Sequence, residues 1–524
     1  MAEDYFPLRE LTIAQVLKAQ RHVRGDKLFL TELWSGRQWT YAQLDDMADQ
    51  AAHALIDAGV AKGMHVGVFM GNSAEHLAIF LGLGKIGAVS VPVNTAARGE
   101  LLRYYFDHAD AAVVVADEEL APRLQEVRAL LAKVRHVMVI GAQGLPRSRN
   151  SDPIASDVKC SDLLMLSYTS GTTGPSKASM LSHAAALTYG TSAAAAQGYV
   201  DSDVFYVCLP LFHNNALLAA TGAALVCGGS VALSQRFSAS RFWDEIRSSK
   251  ATITNFLGSM SSFLWSRPES PDDADNDLRL VSMSPMPGIA AAFEKRFGLR
   301  AMSNYGLSDF GTVTAFVPGS PASKLGSIGK PRRDFELKVV DDDDFDCAPD
   351  EVGELVIRTK EPWRAATGYY KMPEETLRAH RNQWFHTGDR ARVDPDGYLW
   401  FVDRKKDCIR RRGENISAFE VEKAIMNHAA VAHAAVFPVK TPDGDEEVGA
   451  SVVLRDGAAL DASQLIAYCA KNMSYFMVPR FVEFLADLPV TVNQKVEKFR
   501  LKSRMEADTQ AVWDRERAGI VLER

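Results

Sequence analysis

Apolar runs alternate with helically spaced patterns from Phe29 to about Val158. His65 to Met70 predicts a buried strand, Ser73 stands where it would cap a helix running through His76 and Phe80, and Ala88 to Val93 predicts the next strand. Strand and helix patterns in turn are those of a doubly wound α/β layer. A second alternation, from about Leu163 to Asn304, predicts strands at Leu163 to Tyr168, Val204 to Leu209 and Thr252 to Phe256. Past Lys324 the texture changes. Phe335 to Val340 and Gly353 to Arg358 are short runs separated by Gly, Pro and Asp, which predicts a small antiparallel β unit over about 324–403. The charged segment Arg404-Lys405-Lys406-Asp407 then precedes further helix and strand patterns, and a domain boundary is expected there, with 1–403 on one side and 404–524 on the other.

Composition narrows the function classes. The 524 residues amount to roughly three and a half domains of ordinary size, and 47% hydrophobic with 24% charged residues supplies a sizeable packed core. Lys and Arg number 59 against 66 Asp and Glu. A net charge of −7 over this length is neither a nucleic-acid footprint nor an acidic solvating tail, so an anionic ligand must be held by local chemistry. Cys160, Cys208, Cys227, Cys347, Cys408 and Cys469 are too scattered for a zinc knuckle or a redox pair, and are read as buried thiols of a reducing compartment. Met1 to Thr12 carries acids and no apolar run behind a basic cluster, so no cleaved signal peptide is expected and the cytoplasm is the expected location. Ala216 to Leu233 is uncharged and just long enough to raise a membrane span. Gly228 and Gly229 divide it, and a buried helix followed by a strand at Ser230 to Leu233 is expected instead.

Two patterns are decoys. Gly82-Leu83-Gly84-Lys85-Ile86-Gly87 spells the dinucleotide pattern GxGxxG, but it closes a helix and precedes a strand, the reverse of the context that aims a helix N-terminus at pyrophosphate. Asp341 to Asp344 lacks the alternating spacing and the Gly of a calcium loop, so a solvated hairpin tip is expected. The histidines lack metal-ligand spacing with neighbouring acids, and zinc is not expected.

Leu163-Leu-Met-Leu-Ser-Tyr-Thr-Ser-Gly-Thr-Thr-Gly-Pro-Ser-Lys177 carries the chemistry. An apolar strand runs into hydroxyls and glycines that end in a lysine, and a polyphosphate needs that set: close backbone N–H groups, hydroxyl donors and a cation. It is not a Walker A loop, because only two residues separate Gly171 from Gly174 and Lys177 comes later.

With five further segments in order, the chain resembles the adenylate-forming superfamily of acyl-CoA and aryl-CoA synthetases, peptide-synthetase adenylation domains and firefly luciferases. The segments are Leu209-Pro-Leu-Phe-His213-Asn-Asn215, Tyr305-Gly-Leu-Ser-Asp309, Trp384-Phe-His-Thr-Gly-Asp389, Asp403-Arg-Lys-Lys-Asp407 with Arg412-Gly-Glu-Asn-Ile-Ser417, and Leu488-Pro-Val-Thr-Val-Asn-Gln-Lys495. The stretch from Asp403 to Ser417 most resembles crotonobetaine/carnitine-CoA ligase-like proteins. The resemblance implies an α/β fold: a large N-terminal domain of two doubly wound α/β subdomains plus a small β-barrel, followed by a mobile α+β C-terminal domain. It implies a two-step acyl-CoA ligase in which acid and ATP give acyl-AMP and pyrophosphate, and coenzyme A then displaces AMP.

By the same resemblance, Thr169, Ser170, Gly171, Thr172, Thr173, Gly174 and Lys177 hold the ATP phosphates, while Asn304, Tyr305 and Gly306 flank the adenine, with Tyr305 stacked on it. Asp389, assisted by Arg404, accepts from the ribose hydroxyls, a role suited to an acceptor-only carboxylate. Ser308 and Asp309 stand where the family has Thr and Glu; the shorter Asp309 remains a hard oxygen ligand for Mg²⁺. Lys495 bridges substrate carboxylate and α-phosphate, although Gln494 replaces the usual Gly before it. His213 gates the acyl pocket, whose other lining candidates are Asn215, Phe256, Gly258, Ser284, Met286 and Phe310. Lys406 is the hinge, and Gly413 and Glu414 line the coenzyme A channel. The implied partners are a small carboxylic acid, ATP and coenzyme A, without nucleic acid or an integral membrane span; a homodimer is compatible.

Three rivals stay open on sequence alone. A stand-alone adenylation enzyme would load a separate carrier protein, since no carrier domain is expected after Lys495. A luciferase-like oxygenase would consume oxygen. A non-catalytic ATP-binding homologue would be marked by Asp309 and Gln494.

Overall fold

A computed structural model describes residues 6–169, 176–284, 286–404, 408–411, 414–440, 446–473, 475, 477–490 and 496–522. The chain divides into two compact units, Met1–Glu336 with Arg358–Arg381, and Leu337–Ile357 with Asn382–Arg524.

The first unit holds two sheets. One has six strands in the order His136–Ile140, Val113–Asp117, His65–Phe69, Val89–Pro92, Leu163–Thr169 and Lys177–Ser182, parallel until the last pair, which is antiparallel. The other has nine, running from Lys330–Pro331 through Gly311–Phe316, Arg300–Leu307, Leu280–Ser284, Ile253–Leu257, Val204–Val207 and Ser230–Leu233 to Leu28–Glu32 and Gln38–Thr40. Its middle is parallel and both ends are antiparallel. The two doubly wound α/β layers are those the alternation predicts, but the chain is shared between them differently. Leu28–Glu32 leaves the first alternation to pair with Ser230–Leu233, and Leu163–Thr169 joins the earlier sheet beside Val89–Pro92. Periodicity reports that a run is a strand; it carries no information about a partner some two hundred residues away.

Local chemistry sets the elements near these sheets. Ser73 caps Ala74–Ile86 through a hydrogen bond from the His76 N–H. The GxGxxG decoy lies at the end of that helix, where each glycine has a packing use. A Cβ at Gly82 would come within 2.8 Å of the Ala48 carbonyl oxygen, and Gly87 closes the helix at φ +69°. Ala216 to Leu233 becomes a π-helical turn at Asn215–Thr221, an α-helix at Gly222–Cys227 and a strand at Ser230–Leu233. The π segment is the one departure from the expected helix and strand. Among the described residues no helix is long and apolar enough to cross a membrane. Cys208, Cys227 and Cys469 are buried free thiols, but Cys160 and Cys347 are only half-buried, so the expectation of uniformly buried thiols is corrected for those two.

In the second unit, Gly353–Thr359 and Trp384–Val393 pair antiparallel through Gly353 to Ile357, and Trp384–Val393 pairs with Leu399–Arg404. Asp341 to Asp344 turns back on itself: Asp341 Oδ1 accepts from the N–H groups of Asp343 and Phe345, closing the expected hairpin tip. The remainder is α+β. Val431–Lys440, Glu446–Leu454, Phe481–Leu485 and Trp513–Asp514 form a four-stranded sheet, accompanied by helices at Ala418–Met426, Ala462–Asn472 and Lys498–Ala507.

Burial leaves a pH signature on the first unit. His76 and His183 are buried, and desolvation pushes each imidazolium pKa down to about 4. In the unfolded chain both protonate near the ordinary value of about 6.5. Between those values the unfolded state binds more protons, so stability falls as pH drops from about 6.5 to about 4, at up to ~1.4 kcal/mol per pH unit for each histidine. Urea midpoints measured across this range should decline on acidification, and His183→Gln should flatten the decline. An unchanged slope in that variant would contradict the assignment.

Candidate functional site

The segment of hydroxyls and glycines is the connection of an antiparallel hairpin. Strand pairing sets Ser167 opposite Ser179, Tyr168 opposite Ala178 and Thr169 opposite Lys177. Alternation along strands then sorts the two faces. Leu166, Tyr168, Ala178 and Met180 pack into one apolar cluster, while Ser167, Lys177 and Ser179 share the other face and make polar contacts.

Those contacts gather a cluster inside the first unit. Lys177 Nζ lies 2.5 Å from Glu375 Oε2 and 5.1 Å from the centre of the Tyr369 ring. The ammonium beside it holds the Glu375 carboxyl below the usual range. Ser179 Oγ donates to Asp309 Oδ1 at 2.8 Å, and the Tyr369 hydroxyl also hydrogen-bonds that carboxyl. Asp309 is only 6% exposed, and burial raises its pKa against the two hydrogen bonds, which favour the ionised form. Among the described residues no three His, Cys, Asp or Glu side chains converge to hold a metal ion. A Mg²⁺ ion there would have Asp309 as a single carboxylate ligand and would draw its other oxygens from phosphates or water, a donor set that fits a magnesium nucleotide.

Beside this cluster the Arg300–Leu307 and Gly311–Phe316 strands carry the adenine candidates. Tyr305 is buried opposite Thr314, whose Oγ1 accepts from the Tyr305 N–H at 3.1 Å. A register shift follows at Gly306, where a Cβ would meet the Gly311 carbonyl oxygen at 2.3 Å, so only glycine fits. Asn304 donates to Ser282 Oγ at 2.6 Å and accepts from Ser284 Oγ at 3.1 Å, which brings Asn304 and Ser284 together. Ser308 is bound through its carbonyl, which accepts from the Tyr189 hydroxyl at 2.8 Å.

His213 follows a turn in which its N–H donates to the Pro210 carbonyl, and its ring lies against Phe212 at 4.4 Å between centroids. Asn215 Oδ1 accepts from Asn255 Nδ2 at 3.0 Å. Phe256 is 1% exposed and packs against Phe242 and Phe293, while its neighbour Asn255 is the residue that bonds Asn215. Phe310 is buried edge-on to Phe335, Met286 packs on the large core, and Gly258 opens the helix Gly258–Trp265. Asn214, Asn255, Ser179, Tyr369 and Glu375 are the residues that sequence reasoning missed. Asn214 stood inside a quoted motif; the others gave no signal of their own.

In the second unit, Asp389 pairs with Arg404 along the strand ladder, and its N–H donates to Thr387 Oγ1 at 3.0 Å. Gly388, at φ +71°, donates to Glu354 Oε1 at 3.0 Å, so the turn that presents Asp389 is tied at both residues. Ser170, Gly171, Thr172, Thr173, Gly174, Lys406, Gly413 and Lys495 lie outside the described residues, and of Thr169, Arg404 and Glu414 the backbone alone is described.

Residues 17–370 match the family described as AMP-binding enzyme, and residues 420–495 match the AMP-binding enzyme C-terminal domain. The chain is 31% identical over 502 residues to the crotonobetaine/carnitine–CoA ligase of Salmonella paratyphi B, covering 92% of this chain and 96% of that one. It is similar in structure to the anthranilate CoA ligase AuaEII in complex with anthranoyl-AMP, with a TM-score of 0.86, 26% identity and coverage of 96% and 98%. It is also similar to ATP-bound MatB from Rhodopseudomonas palustris, with a TM-score of 0.86, 25% identity and coverage of 94% and 99%.

The Lys177–Glu375 pair makes a prediction about anions. A phosphate bound at Lys177 would share its ammonium with the Glu375 carboxylate or displace it, and a partly exposed pair is worth little, roughly 0–1 kcal/mol. Glu375→Gln should therefore tighten binding of inorganic pyrophosphate about two- to fivefold by calorimetry. Unchanged or weaker binding would show that the carboxylate does not compete.

Proposed function

The chain belongs to the AMP-binding enzyme family and is an AMP-forming acyl-CoA ligase, and from that premise we propose how its residues divide the two steps. In the first step a carboxylate oxygen forms a bond to the α-phosphorus of ATP, and the bond from that phosphorus to the bridging oxygen of pyrophosphate breaks. In the second, the coenzyme A thiolate adds to the acyl carbonyl and AMP leaves with its phosphate oxygen.

Both steps gather negative charge, so the protein's work is alignment and charge placement. The observation that carries our reading is the hairpin register. It sets Lys177 across from Thr169 at the mouth of the 170–175 segment, with Ser179 and Asp309 two residues deeper on the same face. We assign residues 169–174 and Lys177 to the pyrophosphate portion of ATP, Tyr305 to the adenine, and Asp389 with Arg404 to the ribose. Asp309 is assigned to the Mg²⁺ that accompanies ATP, and the metal supplies charge neutralisation when bound. Lys495 is assigned to the substrate carboxylate and α-phosphate, because an ammonium placed there offsets the repulsion between two anions as they meet. His213, Asn215, Phe256, Gly258, Ser284, Met286 and Phe310 are assigned to the acid, with Asn255 holding Asn215.

The second step needs access for a thiol. We assign Lys406 to the pivot of the 404–524 domain and Gly413 and Glu414 to the channel for coenzyme A, in keeping with hinges that absorb backbone change at a few positions. The scattered free cysteines support a reducing, cytoplasmic setting. The residues assigned to the acid include no carboxylate to balance a second charge, which favours an acid whose only charge is its own carboxylate.

Two measurements test the division of labour. Lys495→Ala should cut ATP–pyrophosphate exchange by about a hundredfold or more, and wild-type exchange in that variant would remove the lysine from the first step. Lys406→Pro should depress thioester formation more than exchange, and equal losses would remove the hinge. A carboxylate panel read by the mass of the coenzyme A ester should favour medium-chain, branched or ring-containing acids over carnitine by at least about tenfold in kcat/KM. A preference for carnitine would contradict the uncharged pocket.

A further inference from the structure

A part-buried chain of hydrogen bonds joins three of the motif segments through residues that the two steps do not otherwise use. Ser167, on the strand entering the 170–175 segment, donates its hydroxyl to Asn214 Oδ1 at 3.0 Å. Asn214, next to His213, donates from Nδ2 to the Tyr189 hydroxyl oxygen at 3.0 Å. Tyr189 donates in turn to the Ser308 carbonyl at 2.8 Å and lies 3.3 Å from the Leu307 carbonyl.

The direction of this chain is fixed by proton count. The tyrosine has one hydroxyl proton and gives it to a backbone carbonyl, which can only accept, so its oxygen must accept from the Asn214 amide. The Asn214 carbonyl oxygen is then left for Ser167. Tyr189 is buried, and burial keeps its phenol protonated well above neutral pH. Its ring lies where a Cβ at Gly311 would fall, 2.9 Å away, and Gly311 has φ +73°. Glycine at 311 therefore leaves room for the ring and permits the turn that follows Ser308 and Asp309.

The loop bearing His213 is held from its other end as well. Asn72 donates from Nδ2 to the carbonyls of Leu209 at 3.0 Å and Ser234 at 2.9 Å, and accepts from the Leu211 N–H at 2.7 Å. Its start is thus fixed by one amide and its end by another, and only the second reaches onward to Ser308.

We propose that Tyr189 is a positioning residue that sets the Ser308–Asp309 turn in register with the His213 loop and the strand entering the phosphate segment, so that nucleotide and acid are aligned for attack. The proposal deepens the ligase reading and rests on it. Tyr189→Phe keeps the ring in place and deletes only the hydroxyl, leaving the Ser308 carbonyl and the Asn214 amide each short of a partner. A misplaced turn at a reacting centre costs up to about a hundredfold in rate.

The test compares Tyr189→Phe, Asn214→Ala and the double variant with the wild type in ATP–pyrophosphate exchange, using an acid found by the panel. Tyr189→Phe should lower kcat about ten- to a hundredfold and raise KM for ATP, with KM for the acid within about twofold of wild type. The double variant should lose no more than the worse single variant, because one chain is broken once. A loss of folded protein would lower kcat and leave both KM values alone, and that result would overturn the proposal, as would exchange within twofold of wild type or losses that multiply. AMP binding by calorimetry separates this failure from failure of the ligase reading. A wild-type chain that binds AMP but exchanges with no acid would end the ligase reading, and Tyr189→Phe would still be expected to weaken AMP about tenfold. Unchanged AMP affinity in the variant, or a wild type that does not bind AMP, would overturn the positioning role.

Discussion

A polyphosphate is recognised only if donors and cation are held in a fixed register, since each separately is an ordinary surface group. In the proposed phosphate site that register would come from one antiparallel ladder closing an otherwise parallel sheet, with pairs running from Leu163 and Ser182 to Thr169 and Lys177. Its apolar face is locked into the core through Leu166 and Ala178, so its polar face cannot slip by one residue without exposing them. Ser167, Lys177 and Ser179 are thereby fixed toward Asn214, Glu375 and Asp309, and the polar arrangement inherits the rigidity of the hydrophobic one.

From that ladder the rest of the first unit follows by contact. Ser182 ends the hairpin and caps the helix His183–Gln197 through a hydrogen bond from the Ala185 N–H, and that helix carries Tyr189 to the Ser308 carbonyl. Close approach makes this possible: a Cβ at Gly190 would lie 2.6 Å from the Gly222 backbone, so the helix sits directly on the segment that follows His213. Asp309 is buried and hydrogen-bonded, while Lys177 is half-buried and paired with the Glu375 carboxylate.

What the sequence made legible was local. The strands at His65, Leu163, Val204 and Phe335, the Ser73 cap, the division of the uncharged segment at Gly228 and the false dinucleotide pattern were all readable, because each rests on neighbours within a turn or a strand length. What was hidden was non-local: Leu28–Glu32 pairing beside Ser230–Leu233, Asn255 bonded to Asn215 forty residues earlier, and Tyr369 and Glu375 coming to the Asp309 cluster from sixty or more residues further along the chain. Phe256 shows the reason most clearly. Its residue type suits an apolar pocket and an apolar core equally, and residue type alone does not say which neighbours its strand gives it. The candidate site was found through its motifs, while its supporting hydrogen bonds were visible only in three dimensions.

The central claim is that the acid's own oxygen attacks the α-phosphorus. Turnover of a carboxylic acid labelled with oxygen-18 in both carboxylate positions, with ATP and coenzyme A, should deliver a single labelled oxygen into AMP, read by mass spectrometry, and none into pyrophosphate. Label in inorganic phosphate or pyrophosphate, or unlabelled AMP alongside labelled thioester, would contradict it.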